Sequence, residues 1–524
     1  MIDHFPFYLC LVVTILLLIM LANKIRIAYP ILLVIGGLLI SFAPGIPHLH
    51  IESELIFIIF LPPLLYDAAW QISWKELWRW RRVISSFAFP IVFFTALAVA
   101  LVANHFIPGF SLALGFLLGG IVSPPDAVSA GAILKFVKVP KTVASILEGE
   151  SLLNDASSLI IFRFALIAVA TGQFVWHQAG LTFIWMVVGG IGSGLLIGWL
   201  VMKMHRFLPK DANMHIALTL VTPYAMYISA EALGSSGVLG VVAGGLLLSN
   251  RRLHFLDSTA RLRNVNVWES LSFLLNGLVF MIIGLTLPQI TAELGDVGLG
   301  TAVGSGLLIT GILVITRLLS SFGAVVFTLV ARNYITVADT RNPGVKGPFV
   351  IGWAGMRGVV SLAAALSIPT HLANGAVFPQ RNLILFITFV VILTTLLVQG
   401  LTLPYIIRRL NLVDRDNILT EEEVFMALRK KLNQVAVDYL HSNFPRELDT
   451  YPALQQMEQK WRLNTGTDGQ NGLADHSKEI YQQVLEQQRN WLIQKNHEKN
   501  TLSEEVVRRH LLYLDLEEEK LKFL

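Results

Sequence analysis

Cysteine is almost missing from this chain. Cys10 is the only one among 524 residues, which excludes an intrachain disulfide. Charge is scarce as well: 15% of the residues are Asp, Glu, Lys or Arg and 54% are hydrophobic, where a soluble domain carries about a quarter charged. The few charges are unevenly spread, with 23 basic and 16 acidic side chains in residues 1–404 against 17 and 20 in residues 405–524. The sequence therefore divides into a long apolar region, 1–404, and a polar tail, 405–524. The apolar part carries +7 and the tail −3, so the positive charge of the chain lies among apolar runs and is no basic face for nucleic acid. No basic residue precedes the first apolar run in "MIDHFPFYLC", while Lys24 and Arg26 follow it; that order reads as a first membrane helix and not a cleaved signal. H-E-x-x-H and G-x-S-x-G patterns are absent. Asp126 with Asp155 alone is thin support for an intramembrane aspartyl protease.

What is present is a succession of apolar runs near the roughly 20 residues a bilayer-spanning helix needs. Thirteen are read, at about 7–23, 29–43, 55–71, 83–103, 111–133, 142–170, 181–202, 214–232, 236–249, 267–288, 298–330, 348–369 and 382–404. Cytoplasmic loops collect Lys and Arg, which tests the count. Alternate loops hold 19 basic residues on one side, from Lys24/Arg26 to Arg332/Arg341/Lys346, and only Arg381 on the other. The expected topology puts the N-terminus outside and the tail in the cytoplasm of a multi-pass protein of the inner (plasma) membrane.

Arg163, Arg317 and Arg357 are left inside the spans, beside Glu148, Glu150 and Asp155 in "EGESLLNDASSLIIFRF". A charge at the centre of a membrane helix costs roughly 2.5–3.5 kcal/mol on insertion scales, and such groups usually line an ion pathway. A structural Arg–carboxylate pair that fixes helix register is the plainer alternative. Two spans read as interrupted. The fifth contains Pro124 and Pro125, which remove two backbone donors; the twelfth sets Arg357 among Gly352, Gly355 and Gly358. Unwound backbone at membrane depth is tolerated only where protein buries it or a cavity meets it. These two spans cross in opposite directions, so spans 1–6 and 8–13 form two six-helix inverted repeats. Such pairs of broken helices mark the midplane site of secondary transporters.

On the sixth span Glu150, Ser151, Asn154 and Asp155 share one helical face. Glu148 lies off it. The face offers carboxylate, hydroxyl and amide oxygens, with no His or Cys, which suits a hard monovalent cation. These residues, with "SPPDAVSA", "FLPPLLYDAAW", "TRLLSSF" and "GMRGVVSLA", resemble the cation/proton antiporter 1 family of bacterial Na+/H+ antiporters and mammalian sodium/proton exchangers. The resemblance implies an all-α polytopic fold working as a homodimer in lipid, without cofactor. Asp155 would bind cation and proton in turn, Glu150 and Ser151 would support Na+, and Arg317 would pair with Glu150. Asn154 would be the neutral partner that marks electroneutral members. Asp126 matches the aspartate of the family's crossing motif, where Pro125 replaces a common Thr, so any ligand from position 125 is a carbonyl. Arg357 is a further structural charge partner.

A carboxylate kept from water favours its proton, so H+ and cation compete for one group. Exchange of cytoplasmic Na+ or Li+ for external H+ follows, with K+/H+ exchange the alternative and a cation channel the rival from another class. The tail shows helix-compatible segments at 420–440, 476–497 and 502–523, separated by "NTGTDGQNG". It carries no nucleotide, metal or phosphate motif. A solvated extension aiding assembly and a regulatory domain both fit it. "KELWRWRR" reads as an anchor at the cytoplasmic interface.

Overall fold

The computed structural model describes residues 5–43, 53–134, 137, 139–172, 176–209, 211–294, 298–331, 344–372, 375–412, 421–466, 475–498, 510–511 and 514–518. It divides into two compact units, Met1–Asp414 and Arg415–Leu524. Among its described residues the first unit contains seventeen α-helical segments: α1 Phe5–Ile25, α2 Tyr29–Ser41, α3 Ser53–Gln71, α4 Trp74–Ser86, α5 Val92–Phe106, α6 Leu112–Val122, α7 Ala127–Leu134, α8 Lys141–Thr171, α9 Trp176–Phe207, α10 Ala212–Ala232, α11 Gly237–Phe255, α12 Ser258–Ala292, α13 Leu299–Ala331, α14 Lys346–Trp353, α15 Val359–Leu366, α16 Arg381–Thr394 and α17 Gly400–Leu410. Among the described residues, seven helices are long and apolar enough to cross a membrane. Helix interruptions account for several of the shorter ones. α6 and α7 are separated by residues 123–126, and α14 and α15 by residues 354–358.

Two other helices are irregular without breaking. α4 runs into α5 through a π-helical turn, Phe87–Ile91, that contains Pro90, and α16 runs into α17 through another, Thr395–Gln399. α3 stays helical across Pro62 and Pro63. Pro63 has no N–H to give the Ile59 carbonyl, and the Tyr224 hydroxyl of α10 donates to that oxygen at 3.3 Å.

The helices pack as two bundles. α1, α2, α3, α9, α10, α11 and α12 form one, with α2 against α12 and α9 against α11 as its most extensive contacts. The other gathers α4 to α8 and α13 to α17, with α8 packed on α4 and α6, and α13 on α14 and α16. The apolar seam between them brings Ile31 and Leu33 of the first bundle together with Ile133, Met356 and Leu396 of the second. α6 and α8 touch almost backbone to backbone. A Cβ on Gly120 would lie 2.8 Å from the Phe162 nitrogen, and this approach brings the 123–126 break beside the middle of α8.

The second unit is helical too, with α18 Glu421–Asn443, α19 Pro445–Thr450, α20 Pro452–Gly466 and α21 Asp475–Glu498. Most of the expected 502–523 helix and of the "NTGTDGQNG" stretch lies outside the described residues, as do the basic loop residues Lys135, Lys138, Lys210, Arg332 and Arg341. His441 of α18 meets Glu458 of α20 at 2.7 Å, and Arg462 reaches the same carboxylate at 2.6 Å. The His441 hydrogen bond first, and Arg462 behind it, hold Glu458 below the usual carboxylate range. The contact is therefore present at neutral pH and is lost as pH falls through that lowered value.

The α6–α8 contact yields a stability prediction. Gly120→Val should destabilise the protein by about 1–3 kcal/mol through overpacking against backbone that cannot yield. Gly192→Val, where a Cβ meets nothing within 4 Å, is the control. Equal melting temperatures for the two variants would contradict the packing described.

Candidate functional site

The two breaks meet. The Asp126 N–H donates to the Met356 carbonyl at 2.7 Å, joining unwound backbone of one interrupted helix to that of the other. A Cβ on Gly358 would collide with the Asp126 carboxylate, which is why no side chain stands there. Arg357 staples the crossing. Its Nε donates to the Val122 carbonyl at 2.8 Å, and a terminal nitrogen donates to the Ser123 carbonyl at 3.2 Å. Its backbone N–H reaches the Thr395 hydroxyl at 3.2 Å. These two carbonyls end α6, where the last turn of a helix leaves acceptors unpaired and a partial negative charge. A buried guanidinium, 1% exposed, satisfies both.

Asp126 opens α7. Its Oδ2 accepts from the Ser129 N–H at 3.3 Å and from the Ser129 hydroxyl at 2.5 Å, the side-chain cap that a helix N-terminus favours. The D-x-x-S spacing was a readable signal for this cap, and Ser129 was missed. Asn154, fully buried, donates from Nδ2 to the Pro125 carbonyl at 3.1 Å. That bond fixes the amide orientation, since the opposite one would set two acceptors face to face. The Asn154 Oδ1 is left buried with no hydrogen-bond partner among the described residues.

Asp155 follows, 8% exposed, with no hydrogen bond to its carboxylate among the described residues. Glu150, one turn earlier and fully buried, is held by Arg317 of α13, with two guanidinium nitrogens on its two oxygens. The Phe87 ring lies 5.1 Å from the Arg317 guanidinium, a cation–π contact that sequence reading did not foresee. The π-helical turn that carries Phe87 sends the Val92 N–H to the Phe89 carbonyl. The neighbouring Ala88 carbonyl instead accepts from the hydroxyl of Ser157, two residues beyond Asp155. Ser151 is half-buried on the same helix.

The structure thus brings together Pro125, Asp126, Glu150, Asn154, Asp155, Arg317 and Arg357. Asp155 interacts electrostatically with Asp126, and Arg357 with both Arg317 and Glu150. Three carboxylates and two guanidinium groups leave one formal negative charge. Arg163 belongs elsewhere: it pairs with Glu231 of α10, whose other oxygen takes the Gly237 N–H at 3.0 Å. Asp67 is also apart, on α3, accepting from Gln71 at 2.9 Å. No cluster of three or more metal-ligating side chains occurs among the described residues.

Comparison with known proteins gives the following. Residues 11–409 match the family described as "Sodium/hydrogen exchanger, transmembrane". The chain is 35% identical over 397 residues to the sodium, potassium, lithium and rubidium/H(+) antiporter of Bacillus subtilis, covering 72% of this chain and 57% of that one. This chain therefore spans less than three fifths of that relative's length. It is 33% identical over 425 residues to the low-affinity Na(+)/H(+) antiporter of Synechocystis, covering 78% and 75%. The structure of the sodium proton antiporter of Methanocaldococcus jannaschii superposes with a TM-score of 0.58 at 20% identity, covering 78% of this chain and 99% of that one, a likeness of fold.

The Glu150–Arg317 pair is testable without any transport assay. Removing one partner leaves a buried charge uncompensated, at about 3–5 kcal/mol. Glu150→Ala and Arg317→Ala should each lower thermal stability markedly, and the double variant should lose less than their sum. Strict additivity of the three melting shifts would mean the two groups are not coupled.

Proposed function

The chain belongs to the sodium/hydrogen exchanger family, and from that premise we propose that it exchanges Na+ or Li+ for H+, with both ions using the Asp155 carboxylate. The observation that carries this reading is the charge of the site. Arg317 offsets Glu150, the three carboxylates and two guanidinium groups together leave one formal negative charge, and this reading assigns it to Asp155, whose carboxylate has no hydrogen bond among the described residues. One proton or one monovalent cation does so equally well. Oxygen ligands for a cation are at hand in Asp155, the unpartnered Oδ1 of Asn154, the Ser151 hydroxyl and the second lone pair of the Pro125 carbonyl. Glu150, held through both oxygens by Arg317, acts as fixed countercharge behind them. If only the neutralised site can change the side it faces, exchange is obligatory.

The surrounding topology is read as thirteen crossings in two inverted six-helix repeats joined by the seventh, with the N-terminus outside and the tail cytoplasmic. The site residues all ride on one bundle, so their geometry survives any displacement against the other. A homodimer in lipid is carried over from the family resemblance. Exposed apolar side chains of α1 and α9, among them Leu9, Leu17, Trp185 and Leu196, need such a covering. K+/H+ exchange is the second reading. It is favoured by Pro125, which brings no hydroxyl to the site, and by the breadth of cations named for the Bacillus subtilis relative.

Asp155→Asn removes the only group assigned to both ions. In proteoliposomes the variant should fold, insert and lose cation-driven proton flux entirely, while the parent protein ranks Na+, Li+ and K+ by initial rate. Appreciable exchange by Asp155→Asn would sink the assignment.

Stoichiometry follows from Asn154, which cannot titrate. One H+ and one Na+ replace each other, both loaded states carry the same charge, and transport should ignore membrane potential. Moving one net charge would instead couple it to about 2.3 kcal/mol per 100 mV. Valinomycin-clamped potassium potentials of both signs should give equal initial flux. A several-fold difference would show a second proton moving, with Asp126 the group to test next.

A further inference from the structure

Helix α4 has two unlike faces. Trp80 and Ile84 are buried, packed in the same core as Val143, Ile146 and Leu147 of α8. Trp74, Lys75, Trp78, Arg79, Arg81 and Arg82 are exposed, and Glu76 is the single acid in the helix. The two exposed tryptophans stack with centroids 6.0 Å apart. The Arg81 guanidinium lies 4.6 Å from the Trp78 ring centre and donates to the Trp78 carbonyl at 2.6 Å. Flat indoles beside fixed cations, at the N-terminal end of the 33-residue stretch Trp74–Phe106 that is long and apolar enough to cross a membrane, match the boundary between acyl chains and headgroups. A cluster of four basic residues next to a membrane helix attracts anionic lipid.

The geometry points to the exposed Trp74–Arg82 face as a docking surface for the phosphate headgroups of anionic phospholipids, with the bound lipid steadying the ion site. The second part rests on the antiport reading, and the continuity of one helix supports it. α4 passes directly into the π-helical turn whose Phe87 faces Arg317 and whose Ala88 carbonyl takes the Ser157 hydroxyl. A headgroup that fixes the tilt and rotation of α4 fixes those two contacts. Tryptophans set depth in the bilayer, and the cations select the lipid. Zwitterionic headgroups carry the same phosphate with a compensating amine, so charge separates the two.

The test uses the full-length protein and a Lys75→Gln/Arg81→Gln double variant, neither position being part of the ion site. In neutral detergent, phosphatidylglycerol should raise the melting temperature of the parent protein by several degrees more than phosphatidylcholine does. Choline chloride at high concentration should abolish that difference by screening, and the double variant should lose at least half of it. In vesicles, the parent's exchange rate should rise several-fold as phosphatidylglycerol replaces phosphatidylcholine, and the variant's should rise less. An equal response of parent and variant to phosphatidylglycerol, or no preference of the parent for it, overturns the docking surface. A lipid preference that moves the melting temperature but not the rate overturns the steadying of the site and keeps the docking surface. Absence of any exchange by the parent in all lipids, with the melting shift intact, would count against the antiport reading alone.

Discussion

Two interrupted helices cannot cross inside a protein unless the backbone groups they expose find partners there. Each unpaired polar group in an apolar surrounding costs several kcal/mol. Arg357 is the side chain that resolves this. Its guanidinium closes the Val122 and Ser123 carbonyls at the end of α6, while its own backbone sits in the opposite break and leans on Thr395. The Asp126–Met356 backbone bond completes the junction. Every other feature of the site, from the placement of Pro125 against Asn154 to the absence of a side chain at Gly358, presupposes that junction.

The second constraint is charge. Glu150 and Arg317 are both almost wholly buried, and a bidentate fork is the geometry in which such a pair offsets its desolvation best. Phe87 covers one face of the guanidinium, so Arg317 has little freedom to follow any other anion. With that pair fixed, and Asp126 engaged as a helix cap, Asp155 is the one carboxylate of the group without a hydrogen bond among the described residues. On the proposed reading, the polar network leaves Asp155 as the exchangeable group by occupying the other two carboxylates.

Much of this was legible in the sequence. Scarce charge, the apolar runs and the E-S-x-x-N-D spacing were enough to put Asp155 and its neighbours on one face of a buried helix. Pro124 and Pro125 announced the first break because a missing N–H is a local property. Arg317 came from a family resemblance and not from spacing, since nothing local ties residue 317 to residue 150. Phe87, Ser157 and the Arg163–Glu231 pair stayed hidden for the same reason: each contact joins helices far apart in the chain. The π-helical turns were equally illegible, because Pro90 permits such a turn without requiring it.

Proline links these observations. Within an apolar interior a proline leaves the carbonyl of the preceding turn without its donor, and some other group has to supply one. Behind Pro63 the Ile59 carbonyl takes the Tyr224 hydroxyl of α10. In the π-helical turn that contains Pro90 the Val92 N–H goes to the Phe89 carbonyl and not to that of Ala88, which takes the Ser157 hydroxyl of α8. At the Pro124–Pro125 break the Asp126 N–H, which an unbroken helix would give to the Val122 carbonyl, goes to Met356, and the Val122 and Ser123 carbonyls take Arg357. In all three cases the donor comes from another segment of the chain, because the N–H that an unbroken α-helix would supply is missing or turned elsewhere. A residue that weakens one helix thereby dictates which second helix must lie beside it. The tertiary bonds that hold the ion site together stand where the secondary structure was interrupted.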